Sequence, residues 1–384
     1  MTIKLYDSDS YATEFDACVL SCTPCDNGFE TVLDKTLFFP EEGGQCCDKG
    51  TLSDVCVDHV SIVDDTIYHY TKTPFSVGDT VHGVIDFSVR FRNMQNHTGE
   101  HIICGIAHSL YGYENVGFHL GSDYVTMDLS GPLTEDEIRY VEKLANEAVF
   151  KNLSVKGFYP SEEELDSIEY RSKSDISGKI RIVTIDETDS CACCAPHVKS
   201  TGEVGLIKIL DAIHYKGGMR LNILCGFDAL FDYEERFKIN VALSNMLSTP
   251  QSDVVGAVER LLEENNALKQ KLSEKSKKIV DMYADSVSHS DESIIVFEQD
   301  LDANMMRFLA NKIKEKTDKL SAVLTGNDET GYRYIITSSN VDLKANLSDM
   351  NSALSGRGGG SSQMIQGNFE ATREKIENYL KGIL

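Results

Sequence analysis

The chain has 384 residues, 41% of them hydrophobic and 26% charged, which is the composition of a soluble globular protein with room for two or three domains. Its formal net charge of −24 argues against a protein that coats nucleic acid, so a polyanionic partner would have to meet a local basic patch. The polar start "MTIKLYDSDS" and the lack of a long apolar run predict a cytoplasmic protein without a signal peptide or a membrane partner.

Residues 1–90 predict a β-rich N-terminal domain. Stretches such as "HVSIVDDTIYHY" and "TVHGVIDF" alternate apolar and polar residues between Gly, Asp and Pro, which is the pattern of half-buried strands. We therefore expect a small β-barrel or a curled sheet in this part of the chain.

Residues 91–228 predict a mixed α/β core. The run "NHTGEHIICGIAH" predicts a helix, and Thr134 with Glu137 forms a capping box in front of a second amphipathic helix. The segments "YVTMDLSG", "KIRIVTID", "VGLIKILDAIHY" and "MRLNILCG" have the composition of strands. A cysteine-rich loop, "CACCAPHV", separates the second of these strands from the third.

Two pairs of residues in this core have the spacing of metal ligands. His97 and His101 form H-x-x-x-H and would lie on one face of the helix. Cys193 and His197 form C-x-x-x-H in the cysteine-rich loop. Three imidazoles and one thiolate suit tetrahedral Zn²⁺, so we predict one zinc ion per chain.

Other cysteines and histidines near these pairs leave alternatives open. Cys191 and Cys194 are competing ligands that the spacing does not exclude. Cys104 and His108 share the helix face of the histidine pair but lie two and three turns along it, so we expect them in the core or around the ligands. The eleven cysteines are mostly expected to be thiols, because disulfides are rare in the cytoplasm.

Residues 229–288 predict a charged helical linker. Its hydrophobic residues alternate steps of three and four, with an asparagine at one core position, as in a coiled-coil seam. The members of this seam are Val258, Leu261, Asn265, Leu268, Leu272 and Ile279. The pattern fits a helical hairpin and a dimeric coiled coil equally, so a homodimer through this linker or through the C-terminal domain is one expected assembly.

Residues 289–384 predict a compact α/β domain, in which two helices flank the glycine-rich loop "SGRGGGSSQMIQG". The whole chain is thus expected to be an α+β protein of four parts. These are a small β-barrel, an α/β core with a zinc site, a helical coiled-coil linker and a C-terminal α/β domain.

Several motifs together resemble the trans-acting alanyl-tRNA editing proteins, which are related to the editing and C-terminal domains of alanyl-tRNA synthetase. "LDKTLFFPEEGGQCCDKGTL" is similar to the family's Asp-x-Thr, aromatic-Pro, Gly-Gly-Gln and Asp-x-Gly signature. "NHTGEHI" resembles its His-Thr-x-x-His helix, and "CCAPHVKSTGEVGLIKIL" resembles its Cys-Gly-Gly-Thr-His-Val and Thr-Gly-Glu-x-Gly segment. "SGRGGGSSQMIQG" resembles the glycine-rich motif of the C-terminal domain. The match runs over most of the chain and resembles the long form of these proteins.

The resemblance implies a zinc-dependent hydrolase that removes serine or glycine from mischarged alanine tRNA. By position it implies His97, His101, Cys193 and His197 as the zinc ligands. An aminoacyl ester is already reactive, so an ordered water and a group that polarises the ester suffice. The chain departs from the family at residues 195–196, where Ala-Pro replaces Gly-Thr, and a proline there gives the loop a different shape because it lacks a backbone N–H.

The resemblance also makes Thr36 and Gln45 candidates for lining the aminoacyl pocket. A pocket that hydrogen-bonds the hydroxyl of serine can spare the correct alanyl ester. Glu100 is a candidate for orienting water in catalysis, although a solvent-facing glutamate is the commoner situation on a helix. Four protein ligands would close the coordination shell of the metal, so zinc opens to substrate, has a loose ligand or shapes the pocket.

Binding of tRNA by so acidic a chain requires a strip of cations. The candidates around the metal motifs are Lys173, Lys179, Arg181, Lys199, Lys208, Lys216 and Arg220. Arg357 in the glycine-rich loop would have backbone N–H groups for neighbours and would also suit a phosphate, unless the segment is a tight turn without a ligand. Among these we assign Lys199, Arg220 and Arg357 to the binding of the tRNA.

Three other interpretations compete with the editing hydrolase. Cys18, Cys22 and Cys25 have the spacing by which radical enzymes hold a four-iron cluster, but they lie in an alternating β segment. A phosphoesterase would need an Asp-His-His cluster, for which the chain offers only Asp58 and His59. The serious alternative is a non-catalytic tRNA-binding protein with a structural zinc site.

Overall fold

The computed structural model describes residues 1–121, 125–172, 179–299 and 301–383. Contacts within the chain divide it into two compact units, Met1–Ala242 and Leu243–Leu384. Both units combine helices with sheets, which confirms the predicted α+β class.

The N-terminal strands of the first unit close into a barrel. In chain order they are β1 (Ile3–Lys4), β2 (Glu14–Cys25), β3 (Gly28–Leu33), β4 (Lys35–Thr36), β5 (Gly50–Leu52), β6 (Val55–Val63), β7 (Thr66–Thr71) and β8 (Thr80–Ile85). The barrel has the order β2-β3-β7-β6-β5-β8, and β1 pairs in parallel with β4. Alternate residues of β2, namely Phe15, Ala17 and Val19, are buried in one cluster with Phe38, so the period of two in the sequence determines which side chains fill the barrel.

The long helix α1 (Phe87–Tyr111) follows the barrel and contains the predicted histidine pair. The helix begins at Asp86, whose carboxylate accepts hydrogen bonds from the N–H groups of Ser88 and Val89. It ends at Gly112, which has a φ of 69° and closes the last turn.

The further elements of the first unit are helices and the strands of two antiparallel sheets, some of which pack against α1. They are β9 (Asn115–Leu120), β10 (Val125–Leu129), α2 (Glu135–Lys151), β11 (Val155–Phe158), α3 (Glu162–Leu165), β12 (Ile182–Ile185), β13 (Asp189–Ala192), β14 (Ile207–Tyr215) and β15 (Gly218–Cys225). One sheet has the order β14-β15-β10-β9, and the other has the order β11-β12-β13. Thr134 caps α2 through the predicted capping box with Glu137.

The predicted linker forms two helices, α4 (Phe227–Leu247) and α5 (Val254–Ser286). The coiled-coil seam lies on α5, where the exposed fractions of Leu261, Leu268 and Leu272 are 54%, 64% and 67%. The apolar side chains of the predicted seam are therefore largely exposed in the described structure.

The C-terminal sheet belongs to the second unit. The elements after α5 are β16 (Ile294–Phe297), α6 (Ala303–Lys314), β17 (Leu320–Asn327), β18 (Gly331–Ser338), α7 (Leu343–Ala353), β19 (Gly356–Gly360), β20 (Met364–Phe369) and α8 (Arg373–Lys381). The sheet has the order β16-β17-β18-β20-β19. The prediction of a glycine-rich loop is wrong for residues 356–360, because these residues pair with β20 and form the edge strand β19. A search of the described ranges for a helix with the length and apolar character of a membrane span finds none.

Candidate metal centre

The candidate metal centre forms where α1 meets the loop after β13. His97 and His101 are one turn apart on α1, and their ring centroids are 5.4 Å apart. The chain before β13 approaches the helix closely because Gly105 has no side chain, and a Cβ there would lie 2.3 Å from the backbone oxygen of Thr188. The loop that follows β13 is thereby held against the helix face that carries the two histidines.

The structure brings the four predicted ligands together. One donor atom from each of His97, His101, Cys193 and His197 lies within 4.8 Å of all the others. The Sγ of Cys193 is 3.6 Å from His97 Nε2 and 3.3 Å from His197 Nε2. Three imidazole nitrogens and one thiolate that face a common point are the donor set that tetrahedral zinc prefers, so the residues fit this metal.

Two of the imidazoles are oriented through Nδ1 by neutral side chains. His97 Nδ1 donates to Gln45 Oε1 at 2.7 Å, and His197 Nδ1 forms a hydrogen bond of 3.0 Å with the Thr98 hydroxyl. Because Gln45 Oε1 can only accept, the proton of the neutral His97 ring is on Nδ1, and its Nε2 keeps the lone pair that faces the sulfur of Cys193. Nε2 of His197 also faces this sulfur.

The third imidazole is oriented by a carboxylate. His101 Nδ1 donates to Asp189 Oδ2 at 2.9 Å, and Asp189 also accepts two hydrogen bonds of 2.9 Å from Arg171. The exposed fractions of the Asp189 and Arg171 side chains are only 2% and 11%. Burial by itself would lower the pKa of His101, but the hydrogen bond to Asp189 raises that pKa well above its ordinary value. A carboxylate behind a ligating imidazole makes the ring a stronger donor to a metal.

The electrostatics favour Cys193 over its neighbours as the thiolate. Burial by itself would raise the pKa of Cys193, but the surrounding imidazoles lower that pKa well below its ordinary value. Burial raises the pKa of Cys191, and burial with the negative charges of Cys193 and Glu42 raises the pKa of Cys194. Burial lowers the pKa of His197 to about 3, so its ring is the neutral imidazole that a metal requires.

A second group of donors shares one histidine with the first. It consists of His101, Asp189 and Cys191, whose donor atoms also lie within 4.8 Å of one another. Asp189 is already bonded to Arg171 and His101, and the raised pKa of Cys191 keeps its thiol protonated. This group is therefore the poorer metal site of the two.

The metal centre opens onto a cleft of about 450 Å³. The lining includes His97, His101 and Cys193 together with two charged side chains, Glu42 and Lys179. A second cavity, of about 510 Å³, has none of the four ligands among the described residues of its wall. The smaller of these two cavities therefore gives a ligand access to His97, His101 and Cys193, whereas His197 lines a separate cavity of about 290 Å³.

The two predicted pocket residues differ in position. Gln45 is fully buried against the centre, with Oε1 bonded to His97 and with no partner for Nε2 among the residues described. Thr36 is also fully buried, but its hydroxyl lies 2.9 Å from His69 Nε2 and accepts from the Phe38 N–H at 3.1 Å. Because His69 Nδ1 donates to a backbone oxygen, the Thr36 hydroxyl must donate to Nε2. Its hydrogen bonds thus hold Thr36 to the barrel.

Glu100 is 1% exposed, so the expectation that it faces solvent is wrong. Its carboxylate accepts hydrogen bonds from Asn115 Nδ2 and from Cys104 Sγ. Asn115 belongs to β9, which packs on that side of α1 and covers the glutamate. The other carboxylate oxygen lies 3.9 Å from His101 Nε2, and Cys104 is buried as predicted.

Other predicted thiols and histidines lie away from the centre. His108 is exposed and pairs with Glu114 at 2.8 Å, so its expected place in the core or around the ligands is wrong; it lies in the solvent-exposed last turn of α1. All eleven cysteines are free thiols, as predicted. Cys18, Cys22 and Cys25 follow one another along β2 and belong to no donor group in the part of the chain that was described.

Two of the predicted tRNA contacts are engaged inside the protein. Arg181 is buried and donates to the backbone oxygens of Cys193 and Ala195, so it shapes the ligand loop. Arg220 forms two hydrogen bonds, of 2.6 and 2.7 Å, with the carboxylate of Asp128. Both guanidinium groups are thereby less available to a phosphate.

Two of the predicted lysines form ion pairs at the surface. Lys208 pairs with Glu142 at 2.6 Å, and Lys199 lies 3.6 Å from Asp9. Exposed pairs of this kind are worth only about 0–1 kcal/mol, so a phosphate can compete for these lysines.

The remaining predicted cations present their charge to solvent. Lys179 is exposed at the cleft, Lys216 lies 5.1 Å above the ring of Tyr215, and Arg357 is exposed on β19. Lys173 was also predicted to contact tRNA and lies outside the described residues.

Three of the side chains that orient the ligands, directly or through another residue, were not predicted from sequence. Thr98 is part of the quoted helix motif, and its position beside His97 was the available signal. Asp189 lies two residues before the cysteine-rich loop, and a carboxylate so near a ligand loop was the available signal. Arg171 lies 18 residues before Asp189 and gave no local signal.

Comparisons with known proteins point to one family. Residues 180–221 match the model of the threonyl and alanyl tRNA synthetase second additional domain. The chain is 30% identical to the alanyl-tRNA editing protein Aarsd1 of Rattus norvegicus, over 97% of this chain and 95% of that protein. It is 25% identical to the alanyl-tRNA editing protein AlaX-L of Pyrococcus horikoshii, over 98% and 96%. The C-Ala domain of Aquifex aeolicus alanyl-tRNA synthetase is 20% identical and covers 23% of this chain and 91% of that one, but its TM-score of 0.21 is too low to establish a shared fold.

Proposed function

We propose, because the chain belongs to the family of alanyl-tRNA editing proteins, that it hydrolyses the ester between a wrong amino acid and alanine tRNA. The substrates we propose are seryl- and glycyl-tRNA(Ala), which it would edit in trans. The observation that carries the proposal is the convergence of His97, His101, Cys193 and His197, the first three of which line an open cleft.

Zinc is the cofactor we propose, with one ion per chain. His97, His101 and His197 would hold it through Nε2, and Cys193 would hold it through Sγ. When bound, zinc supplies Lewis acidity, which polarises an ester carbonyl or acidifies a water molecule. The hydrogen bonds at the three Nδ1 atoms hold the rings in place, so the donors need little rearrangement when the site is loaded.

Selectivity for serine over alanine requires a polar group that meets the extra hydroxyl. Gln45 Nε2 is a buried donor without a partner in the described chain, and we propose that it donates to the seryl hydroxyl or to the ester carbonyl. Thr36 would then act by shaping the wall of the pocket, since its hydroxyl is bonded to His69. Glu100 would act on the site through its carboxylate, which lies 3.9 Å from His101 Nε2.

The tRNA would approach through cations at the surface of the first unit. For the phosphates of the acceptor end we propose two contacts, Lys179 at the cleft and Lys199, which follows the ligand His197 by two residues. Arg357 is the contact we propose on the C-terminal sheet, whereas Arg220 would have to exchange its carboxylate for a phosphate. We further propose a homodimer through the exposed seam of α5.

Metal analysis combined with a deacylation assay tests the proposal. The purified protein should contain one zinc per chain and should accelerate the loss of serine from seryl-tRNA(Ala) while sparing alanyl-tRNA(Ala). His101→Ala and Cys193→Ala should abolish both the zinc and the activity, whereas Cys191→Ala should keep both. Equal decay of the seryl ester with and without protein would refute the hydrolase and favour a non-catalytic tRNA-binding protein with a structural zinc.

A further inference from the structure

A tight turn next to Gln45 brings a second polar side chain to the metal centre. Gly43 and Gly44 have φ values of 64° and 83°, and Glu42 and Gln45 on either side of them exchange two backbone hydrogen bonds, of 3.2 and 3.0 Å. Residues paired in this way project from the same face of a hairpin. Gln45 contacts His97 on that face, and Glu42 accordingly lines the cleft beside the metal ligands.

One oxygen of the Glu42 carboxylate, a group that also interacts with the Cys194 thiol, lacks a hydrogen-bond partner in the described part of the chain. This oxygen, Oε2, is buried there without a hydrogen bond. Of the cations that line the cleft, Lys4 pairs with Asp65 at 3.4 Å, and Arg181 donates to backbone oxygens. No ion pair joins Glu42 to Lys179 among the residues described. A buried carboxylate oxygen without a donor costs free energy, and a ligand with a cationic donor would offset that cost.

A second side-chain atom near Glu42 Oε2 also lacks a hydrogen-bond partner. Gln45 Nε2, on the same face of the hairpin, is a donor without an acceptor in the chain as described. One carboxylate oxygen and one amide nitrogen without hydrogen-bond partners therefore belong to two paired residues of one turn at the metal centre. This pair matches a ligand that carries a cation next to a carbonyl or hydroxyl oxygen.

We propose that Glu42 binds the α-ammonium group of the aminoacyl ester. The inference rests on the proposed function and adds the determinant by which the site would distinguish a free aminoacyl group from an N-acylated one. Every aminoacyl-tRNA carries this cation two bonds from the ester carbonyl, whereas a peptidyl- or N-acetylaminoacyl-tRNA has a neutral amide instead. An ammonium donates charge-assisted hydrogen bonds to a carboxylate, and these are about twice as strong as neutral ones.

The test compares two esters on three proteins. The zinc-loaded full-length chain is assayed with seryl-tRNA(Ala) and with N-acetylseryl-tRNA(Ala), and the ratio of the two kcat/KM values is measured. The wild type should prefer the free seryl ester by about 10- to 100-fold, the value of a hydrogen bond to a charged group. Glu42→Gln keeps the shape but removes the charge, so the ratio should fall towards one, and Glu42→Asp should restore part of it.

The matched control is Glu41→Gln, which changes the exposed neighbour that lies 3.7 Å from His59 and should keep the wild-type ratio. Zinc content and the urea midpoint of each variant confirm that it is folded and loaded. An unchanged ratio in Glu42→Gln, or an equal loss on both esters, would overturn the role of Glu42 while leaving the hydrolase intact. A wild type that hydrolyses neither ester would overturn the proposed function and this inference together.

Discussion

Removal of the carboxylate behind His101 should weaken zinc binding and destabilise the fold by separate routes. In Asp189→Ala the ring of His101 loses its acceptor at 2.9 Å, and its orientation and donor strength decline. Loss of such a partner costs about 10- to 100-fold in metal affinity. Arg171 would also remain as a largely buried guanidinium, with Glu114, 3.8 Å away, as its other carboxylate partner among the described residues. An unpaired buried charge costs about 3–5 kcal/mol in the free energy of unfolding.

A double variant separates the two effects. Arg171→Leu with Asp189→Leu removes both charges, so the apo protein should regain most of the lost stability, because apolar replacements of a buried ion pair are often neutral. Zinc affinity should stay low, since the acceptor of His101 is still missing. Asp186→Ala on the exposed turn before β13 is the matched control and should change neither quantity.

The measurements are a zinc titration against a chromophoric chelator and urea unfolding of the apo protein. Binding of Co²⁺ gives an independent reading, because thiolate-to-cobalt absorption reports whether the ligand set still forms. Wild-type zinc affinity in Asp189→Ala would refute the orienting role of this carboxylate. Recovery of affinity in the double variant would show instead that Arg171 alone disturbs the site.

Three further predictions concern a buried histidine, the tight turn and the helical seam. Burial lowers the pKa of His69 from 6.5 to about 4, so between these pH values only the unfolded chain binds a proton at this residue. As the pH falls through this interval, the wild type should lose up to about 3 kcal/mol of unfolding free energy relative to His69→Gln. Urea unfolding of the apo protein measures this difference. Gly44→Ala places a Cβ 2.3 Å from the backbone oxygen of Phe118 and should lower the free energy of unfolding by about 1–3 kcal/mol in the same assay. The control Gly78→Ala, at a similar φ of 89° but with nothing within 4 Å of its Cβ, should lower it less. Leu268→Asp should convert a dimer to a monomer in sedimentation equilibrium, and an unchanged mass would refute dimerisation through the seam.

Much of the local structure followed from sequence because it depends on neighbours along the chain. The capping box of Thr134 and Glu137 and the alternation of β2 formed as their spacing predicts. The histidine pair of α1 also lies on one helix face, because a separation of four residues is one helical turn.

The sequence by itself therefore determined the α+β character, the two ligand pairs and the family resemblance. Tertiary structure decided what surrounds them, because Cys193 lies 96 residues from His97, and Gln45 reaches the same ring from 52 residues away. It also buried Glu100 under β9 and paired the glycine-rich segment as an edge strand. Such contacts depend on which distant segments of the chain the fold brings together. The spacing of residues within one helix or strand carries no information about these long-range contacts.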